Sequence, residues 1–125
     1  MDAIEGADAL IVASPVYKGS YTGLFKHLFD FVAPDALTNR PVVLAATGGG
    51  PRHALVVEHQ LRPLFAFFSA QCMATAVYAS DGEFVAGQPT EPTLRRRIEV
   101  AAGQLAEALP QADLAVSIAV GQQRA

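Results

Sequence analysis

Two loops in this sequence carry residues suited to binding a planar ligand. The first loop, residues 13–23, follows an apolar run and contains Pro15, Val16, Tyr17 and Lys18. The proline fixes the direction in which the chain leaves the run, and the small residues that follow let backbone amides approach a ligand closely. Such a loop could border a flat heterocycle and donate hydrogen bonds to its ring oxygens and nitrogens. The alternative is an ordinary turn whose tyrosine covers the next helix.

The second loop, residues 46–51, is here called the glycine loop because Thr47 is followed by Gly48, Gly49 and Gly50. Three consecutive glycines are costly to order and have no evident packing purpose in the sequence. They favour close approach by a ligand, or anion binding where a helix begins. The spacing matches neither the dinucleotide fingerprint nor the phosphate loop of nucleotide hydrolases. The presence of both loops is therefore a stronger indication of a ligand site than the glycine loop alone.

Other chemistry-bearing residues favour structural interpretations. His27, His53 and His59 lack the spacing of a metal-binding set, so we expect no metal site. Cys72 lies in an apolar stretch and is interpreted as a core residue, not a nucleophile. The run at 95–97 is three arginines, which we interpret as a solvated helix face, with binding of a nicotinamide phosphate as the alternative. No paired carboxylates or Ser-His-Asp arrangement stand out, so we expect no catalytic side chain.

The elements that would position the two loops follow a β-loop-α period. Continuous apolar runs predict strands buried on both faces, and apolar residues at helical spacing predict amphipathic helices. Strands are predicted at residues 9–13, 41–46 and 74–79, and helices at 21–32, 53–70 and 93–109, with a polar connection at 80–92. This alternation predicts an α/β fold in which three parallel strands are neighbours in chain order, with helices on both faces. Both loops would then lie at one sheet edge, where ligands bind in such folds.

A proline interrupts the longest predicted helix. Pro63 has no amide hydrogen to bond the carbonyl of His59, so the helix must kink or bulge near this point. A π-type bulge and a simple kink are both compatible with the sequence.

Composition limits the classes of function. Of 125 residues, 51% are apolar and 17% are charged, which is typical of a folded domain, and the net charge of −3 argues against nucleic-acid binding. One cysteine fits a reducing cytoplasm. The first residues lack the features of a signal peptide, and no apolar run is long enough to cross a bilayer. We therefore expect a cytoplasmic protein that does not contact membranes.

Several motifs together resemble the NADPH-dependent FMN reductases, especially the alkanesulfonate and methanesulfonate type that serves two-component monooxygenases. The resemblance covers roughly residues 5–109. The motifs that carry it are Ser14-Pro15-Val16-Tyr17-Lys18, Ala46-Thr47-Gly48-Gly49, His53-Ala54-Leu55-Val56-Val57 and Leu61-Arg62-Pro63-Leu64.

This resemblance implies a flavodoxin-like three-layer sandwich with a parallel sheet, in which the two loops embrace the flavin ring. The cofactors implied are FMN and NAD(P)H, with hydride transfer to flavin N5 and release of reduced FMN to a partner monooxygenase. It also implies a homo-oligomer, either a dimer or a tetramer. In the sulfonate-type reductases a π-helix at the position of His59 supports the tetramer interface. The cofactor-binding residues implied are Pro15, Val16, Tyr17, Lys18, Thr47, Gly48 and Gly49.

The sequence also departs from the family pattern. Family members begin with a strand and a Gly-Ser-x-Arg-x-x-Ser-like phosphate loop, so residues 1–110 are interpreted as a partial domain whose N-terminal strands are missing, with a tail at 111–125. We therefore expect weak FMN binding, an unpaired edge at residues 10–12, and self-association through that edge. The alternative functions are a quinone or azo reductase of the same fold that retains its flavin, and a truncated, non-catalytic oligomerisation module.

Overall fold

The computed structural model describes residues 2–109 and the backbone of residues 116–120. The helices are α1 (Asp2–Gly6), α2 (Gly23–Asp30), α3 (Arg62–Phe67) and α4 (Pro92–Ala108). The strands are β1 (Ala9–Pro15), β2 (Pro41–Gly48), β3 (Gln71–Cys72), β4 (Val77–Ser80), β5 (Phe84–Val85), β6 (Gln88–Pro89) and β7 (Val116–Val120). Among these residues, no helix combines the length and apolarity that crossing a bilayer would require.

A parallel sheet forms the centre of the fold. β2 pairs with β1 on one side and with both β3 and β4 on the other. The predicted parallel order of three neighbouring strands is confirmed. The third strand is divided, however, since residues 73–76 lie outside both β3 and β4. There the Arg62 guanidinium donates to the carbonyl oxygens of Met73 and Ala74, at 3.0 and 3.4 Å. The predicted strand at 74–79 therefore begins only at Val77.

Apolar side chains on the two sheet faces form two separate cores. Leu10 and Val12 of β1 point into the core that α2 and α3 cover, while Ala9 lies in the core that α4 covers. Alternate residues of one strand are thus buried on opposite faces, which explains the continuous apolar runs in the sequence. The predicted layer of helices on each side of the sheet is confirmed.

The far edge of β1 is paired in this structure. β7 runs parallel to β1, with Ala9 opposite Val116 and Ala13 opposite Val120. The expectation of an unpaired edge at residues 10–12 is therefore wrong, and with it the physical reason for self-association through this edge. The β-branched residues at 116, 118 and 120 are the sequence signal for this strand. The division of the chain at residue 110 stays a prediction, and residues 110–115 and 121–125 lie outside the described residues.

The predicted helix at 53–70 is broken into three segments. A short 3₁₀ turn at Pro51–His53 is followed by a π-helix at Val57–Leu61 and then by α3. The amide of Arg62 donates to the carbonyl of Val57, five residues back, which is the π pattern. The π-type bulge next to Pro63 is thus confirmed in place of a simple kink.

The predicted polar connection between the third strand and the last helix contains a small hairpin. β5 and β6 pair antiparallel around a turn at Ala86 and Gly87, whose φ angles are 52° and 80°. Both angles lie in the left-handed region that a tight two-residue hairpin turn requires. This hairpin was missed because its strands are only two residues long.

Candidate functional site

The two loops singled out in the sequence meet at the carboxyl-terminal edge of the sheet. β1 and β2 end in register, with Pro15 opposite Thr47. Immediately beyond this pair, the amide of Val16 donates to the carbonyl oxygen of Thr47 at 2.8 Å. The first loop and the glycine loop are therefore joined by a backbone hydrogen bond, and the predicted placement of both at one edge is confirmed.

The first loop forms a tight turn that presents an aromatic ring and a cation. The backbone groups of Tyr17 and Ser20 bond each other in both directions, at 2.9 and 3.2 Å. Lys18 and Gly19 between them have φ angles of 53° and 79°, the left-handed pair of a two-residue hairpin turn. The side chains of Tyr17, which is 43% exposed, and Lys18 are accessible to a ligand.

Buried hydroxyl groups hold the base of the first loop. The Ser14 hydroxyl accepts from the amide of Thr22 at 3.1 Å and donates to the carbonyl of Pro15 at 2.9 Å. The Thr22 hydroxyl in turn accepts from the amide of Phe25 at 3.0 Å and caps α2. Because both side chains are buried, these bonds fix where the loop leaves β1 and enters α2. Sequence reasoning did not assign either role, although a threonine three residues before an apolar helix position is a capping signal.

The three glycines of the glycine loop have different surroundings. At Gly48 an added Cβ would stand 3.3 Å from Cζ of Tyr78 and closer still to its hydroxyl, so this glycine does serve packing. Around Gly49 an added Cβ would meet no atom within 4 Å, and the residue is exposed. The carbonyl of Gly50 accepts a hydrogen bond from the Tyr78 hydroxyl. An added Cβ at Gly50 would likewise meet no atom within 4 Å, but Gly49 is the exposed glycine of the loop and therefore the one most accessible to a ligand.

A polar cavity of about 220 Å³ lies between the first loop and the segment that follows the glycine loop. Gly19 of the first loop forms one side of it, and the segment after the glycine loop contributes cationic and titratable groups. The hydroxyl of Ser20 donates to Oε1 of Gln60 at 3.1 Å, which connects the first loop to the π-helix. The side chains that line the cavity include those of Arg52, His53, His59 and Gln60.

A second cavity, of about 260 Å³, lies on the opposite face between the sheet and α4. Its lining is apolar except for Thr47, and includes Ile11, Val43, Leu94 and Ala101. Such a cavity can accept apolar groups, but it offers few polar atoms to orient a heterocycle. The loop edge, with its exposed backbone and polar side chains, is the better candidate for a flavin.

The remaining candidates have structural surroundings. Cys72 is half-buried, and burial raises the pKa of its thiol, so it is a poor nucleophile. In the 95–97 run all three arginines are exposed, and Nε of Arg97 donates to the carbonyl of Ala76 at 2.6 Å. The Arg62 guanidinium lowers the pKa of the Glu58 carboxyl by donating to it, which makes a surface ion pair. Within residues 2–109, no group of three or more histidine, cysteine or acidic side chains is placed to hold a metal.

Comparisons with known proteins agree on one family. The family model of NADPH-dependent FMN reductases matches residues 1–84. The chain is 56% identical over 106 residues to the NADH-dependent FMN reductase SfnF of Pseudomonas fluorescens, covering 85% of this chain and 57% of that protein. It is 34% identical over 118 residues to an Escherichia coli FMN reductase (NADPH), covering 92% of this chain and 62% of that protein.

A solved oxidoreductase from Corynebacterium diphtheriae has 43% identity and superposes with a TM-score of 0.80 over 90% of this chain and 60% of its own. The apo form of the NADH:FMN oxidoreductase EMOB has 31% identity and the same TM-score, over 89% of this chain and 58% of its own. The chain thus spans less than two thirds of the length of these proteins. Sequence, fold and loop geometry lead to one conclusion: the chain belongs to the family of NADPH-dependent FMN reductases.

Proposed function

We propose that this chain provides the ring-binding part of an NAD(P)H-dependent FMN reductase. The observation that carries the proposal is the hydrogen bond between Val16 and Thr47, because it brings two ligand-accessible loops together at the sheet edge where α/β proteins bind cofactors. The open space at Gly49 fits a flat ring, since a Cβ there would stand where the ligand approaches.

Each proposed binding residue has a distinct task. Pro15 and Val16 fix the position of the first loop relative to the glycine loop. Tyr17 and Lys18 border the ring from one side. Thr47, Gly48 and Gly49 border it from the other side, with backbone groups in place of bulky side chains. When bound, FMN would accept a hydride from the nicotinamide, so the chain has to orient the ring and needs no side chain as acid or base.

The polar cavity beside the loops supports nicotinamide dinucleotide as the electron donor. Arg52 lines this cavity together with Gly19, and its guanidinium would attract the phosphates of the dinucleotide. The cavity is a better location for this task than the arginines at 95–97, one of which already donates to a backbone carbonyl.

Partners and assembly are further parts of the proposal. Several relatives are named SfnF or SfnE, and sulfonate-type reductases pass reduced FMN to a flavin-dependent monooxygenase, which we propose as the partner here. The exposed ring of Phe67 in α3 lines a cavity of about 500 Å³ together with residues of α2, and this surface would be covered in a homo-oligomer, either a dimer or a tetramer. The single, half-buried cysteine fits a reducing cytoplasm.

We expect replacement of Tyr17 by alanine to weaken flavin binding about fivefold, because an aromatic contact contributes about 1 kcal/mol. The measurement is a fluorescence titration of the 125-residue chain with lumiflavin, which has the ring without the ribityl phosphate, and with FMN. Cys72→Ser is the control, since Cys72 lies in β3 at the start of the divided edge strand, outside both loops.

Equal lumiflavin affinities for the Tyr17→Ala and Cys72→Ser variants would remove the first loop from the proposed site. If the unmodified chain bound neither flavin, the proposed function would fail for this chain as a whole. If FMN stayed bound through purification, a quinone or azo reductase that retains its flavin would replace the proposed reductase that releases reduced FMN.

A further inference from the structure

Tyr78 lies beneath the glycine loop, although it is far from that loop in sequence. It belongs to β4, which pairs with β2 so that Tyr78 is opposite Ala46 and Ser80 is opposite Gly48. This register brings the tyrosine ring under the point where β2 becomes the loop. Its hydroxyl donates to the carbonyl oxygen of Gly50.

The same ring explains why residue 48 is glycine. An added Cβ at Gly48 would stand 3.3 Å from Cζ and 3.5 Å from Cε1 of Tyr78, and closer still to the hydroxyl. The two ring-carbon contacts could be relieved by a small shift, but the contact with the hydroxyl could not be relieved while that hydroxyl remains bonded to Gly50. One side chain thus fixes two positions of the loop, one by hydrogen bonding and one by contact.

Between these two fixed positions lies Gly49, which is exposed and where an added Cβ would meet no atom within 4 Å. Its backbone is therefore held from both sides while its outer surface stays free for a ligand. We propose that Tyr78 is a positioning residue for flavin: it holds the glycine loop in the conformation that receives the ring, without touching the ring. This inference rests on the proposed function.

The protonation state of Tyr78 agrees with this role. Burial raises the pKa of its hydroxyl above the usual value, so the group remains a hydrogen-bond donor throughout the neutral range.

A double-mutant cycle between Tyr78 and Gly48 tests the arrangement. Alone, Gly48→Ala should lower the thermal midpoint by roughly 5–10 °C, because the new methyl group meets the bonded hydroxyl. Alone, Tyr78→Phe should lower it by roughly 3–6 °C through loss of the hydrogen bond. In the Tyr78→Phe background, Gly48→Ala should cost less than about 2 °C, because the obstructing oxygen is gone. Gly103→Ala in α4, where a Cβ meets no atom within 4 Å, should have the same effect in both backgrounds.

Lumiflavin affinity separates positioning from stability. Measured at 10 °C, on variants whose circular dichroism shows that they are folded, Tyr78→Phe should weaken lumiflavin binding at least threefold, and Gly48→Ala about tenfold. Val32→Ala, a buried change two residues after α2, should lower the thermal midpoint and leave lumiflavin affinity unchanged.

The outcomes are distinguishable. If the two substitutions were additive in the thermal midpoint, the contact between Tyr78 and Gly48 would be refuted. If they were coupled but Tyr78→Phe bound lumiflavin as well as the unmodified chain does, Tyr78 would be a structural residue only, and the inference would be overturned while the proposed function stood. Absence of lumiflavin binding by the unmodified chain would overturn the proposed function and this inference together.

Discussion

Replacing Phe65 by alanine should lower the free energy of unfolding by about 3–5 kcal/mol, a large part of the stability of a domain of this size. Phe65 is fully buried at the centre of an aromatic cluster. Its ring centroid lies 5.0 Å from that of Phe29, 6.3 Å from that of Phe25 and 6.1 Å from that of Phe68. Truncation leaves a cavity that these rings can fill only partly, which urea unfolding followed by circular dichroism would measure.

Phe67→Ala provides the matched control for this prediction. Phe67 belongs to the same helix, but it is 68% exposed and packs mainly against Phe68, at 5.3 Å between centroids. At concentrations where the chain is monomeric, so that no partner covers this side chain, its removal should change the free energy of unfolding by less than about 1 kcal/mol, as is usual at the surface. Similar losses for the two variants would show that α3 does not pack on the sheet as described.

The second large effect is expected at Gly49. Replacement by valine should weaken lumiflavin and FMN binding at least tenfold, equivalent to about 1.4 kcal/mol, while the folded state is retained. An added Cβ meets no protein atom within 4 Å there, and the φ angle lies outside the left-handed region, so the chain itself has room for the side chain. A flavin ring that lies against Gly49 would have no room beside the valine side chain.

The measurement pairs a flavin titration with a thermal unfolding curve for each variant. Gly103→Ala serves as the control for an added side chain far from the loops. A Gly49→Val variant that unfolds early would contradict the open surroundings of this residue. A variant that folds and binds flavin normally would place the ring elsewhere.

Much of the fold could be predicted because the sheet is buried on both faces. The apolar runs at 9–13 and 41–46 have no solvent-facing side. Their simplest interpretation is therefore as strands of a parallel sheet that is covered on both faces. The π-helix could be anticipated because Pro63 cannot complete the hydrogen-bond ladder. By contrast, β7 and the β5–β6 hairpin are short, and their pairing depends on neighbours that are remote in sequence or on turn geometry.

The candidate site likewise combines features that could be predicted from the sequence with features that could not. The parallel order of β1 and β2 was enough to bring the first loop and the glycine loop together, because such strands end at one edge. The support beneath them was not predictable: Tyr78 reaches Gly50 only through the register of β4, which is set by tertiary pairing. The buried bond between Ser14 and Thr22 likewise depends on how α2 returns over β1.

The most direct test of the ring-binding site is a lumiflavin titration of the ¹⁵N-labelled chain followed by amide chemical shifts. We expect the largest shifts at the backbone amides of Val16 to Ser20 and of Thr47 to Gly50, with small shifts at Ile11 and Ala101 beside the cavity under α4. Shifts concentrated at Ile11, Val43 and Ala101, with the two loops unaffected, would contradict the proposed site and move the ligand to the opposite face of the sheet.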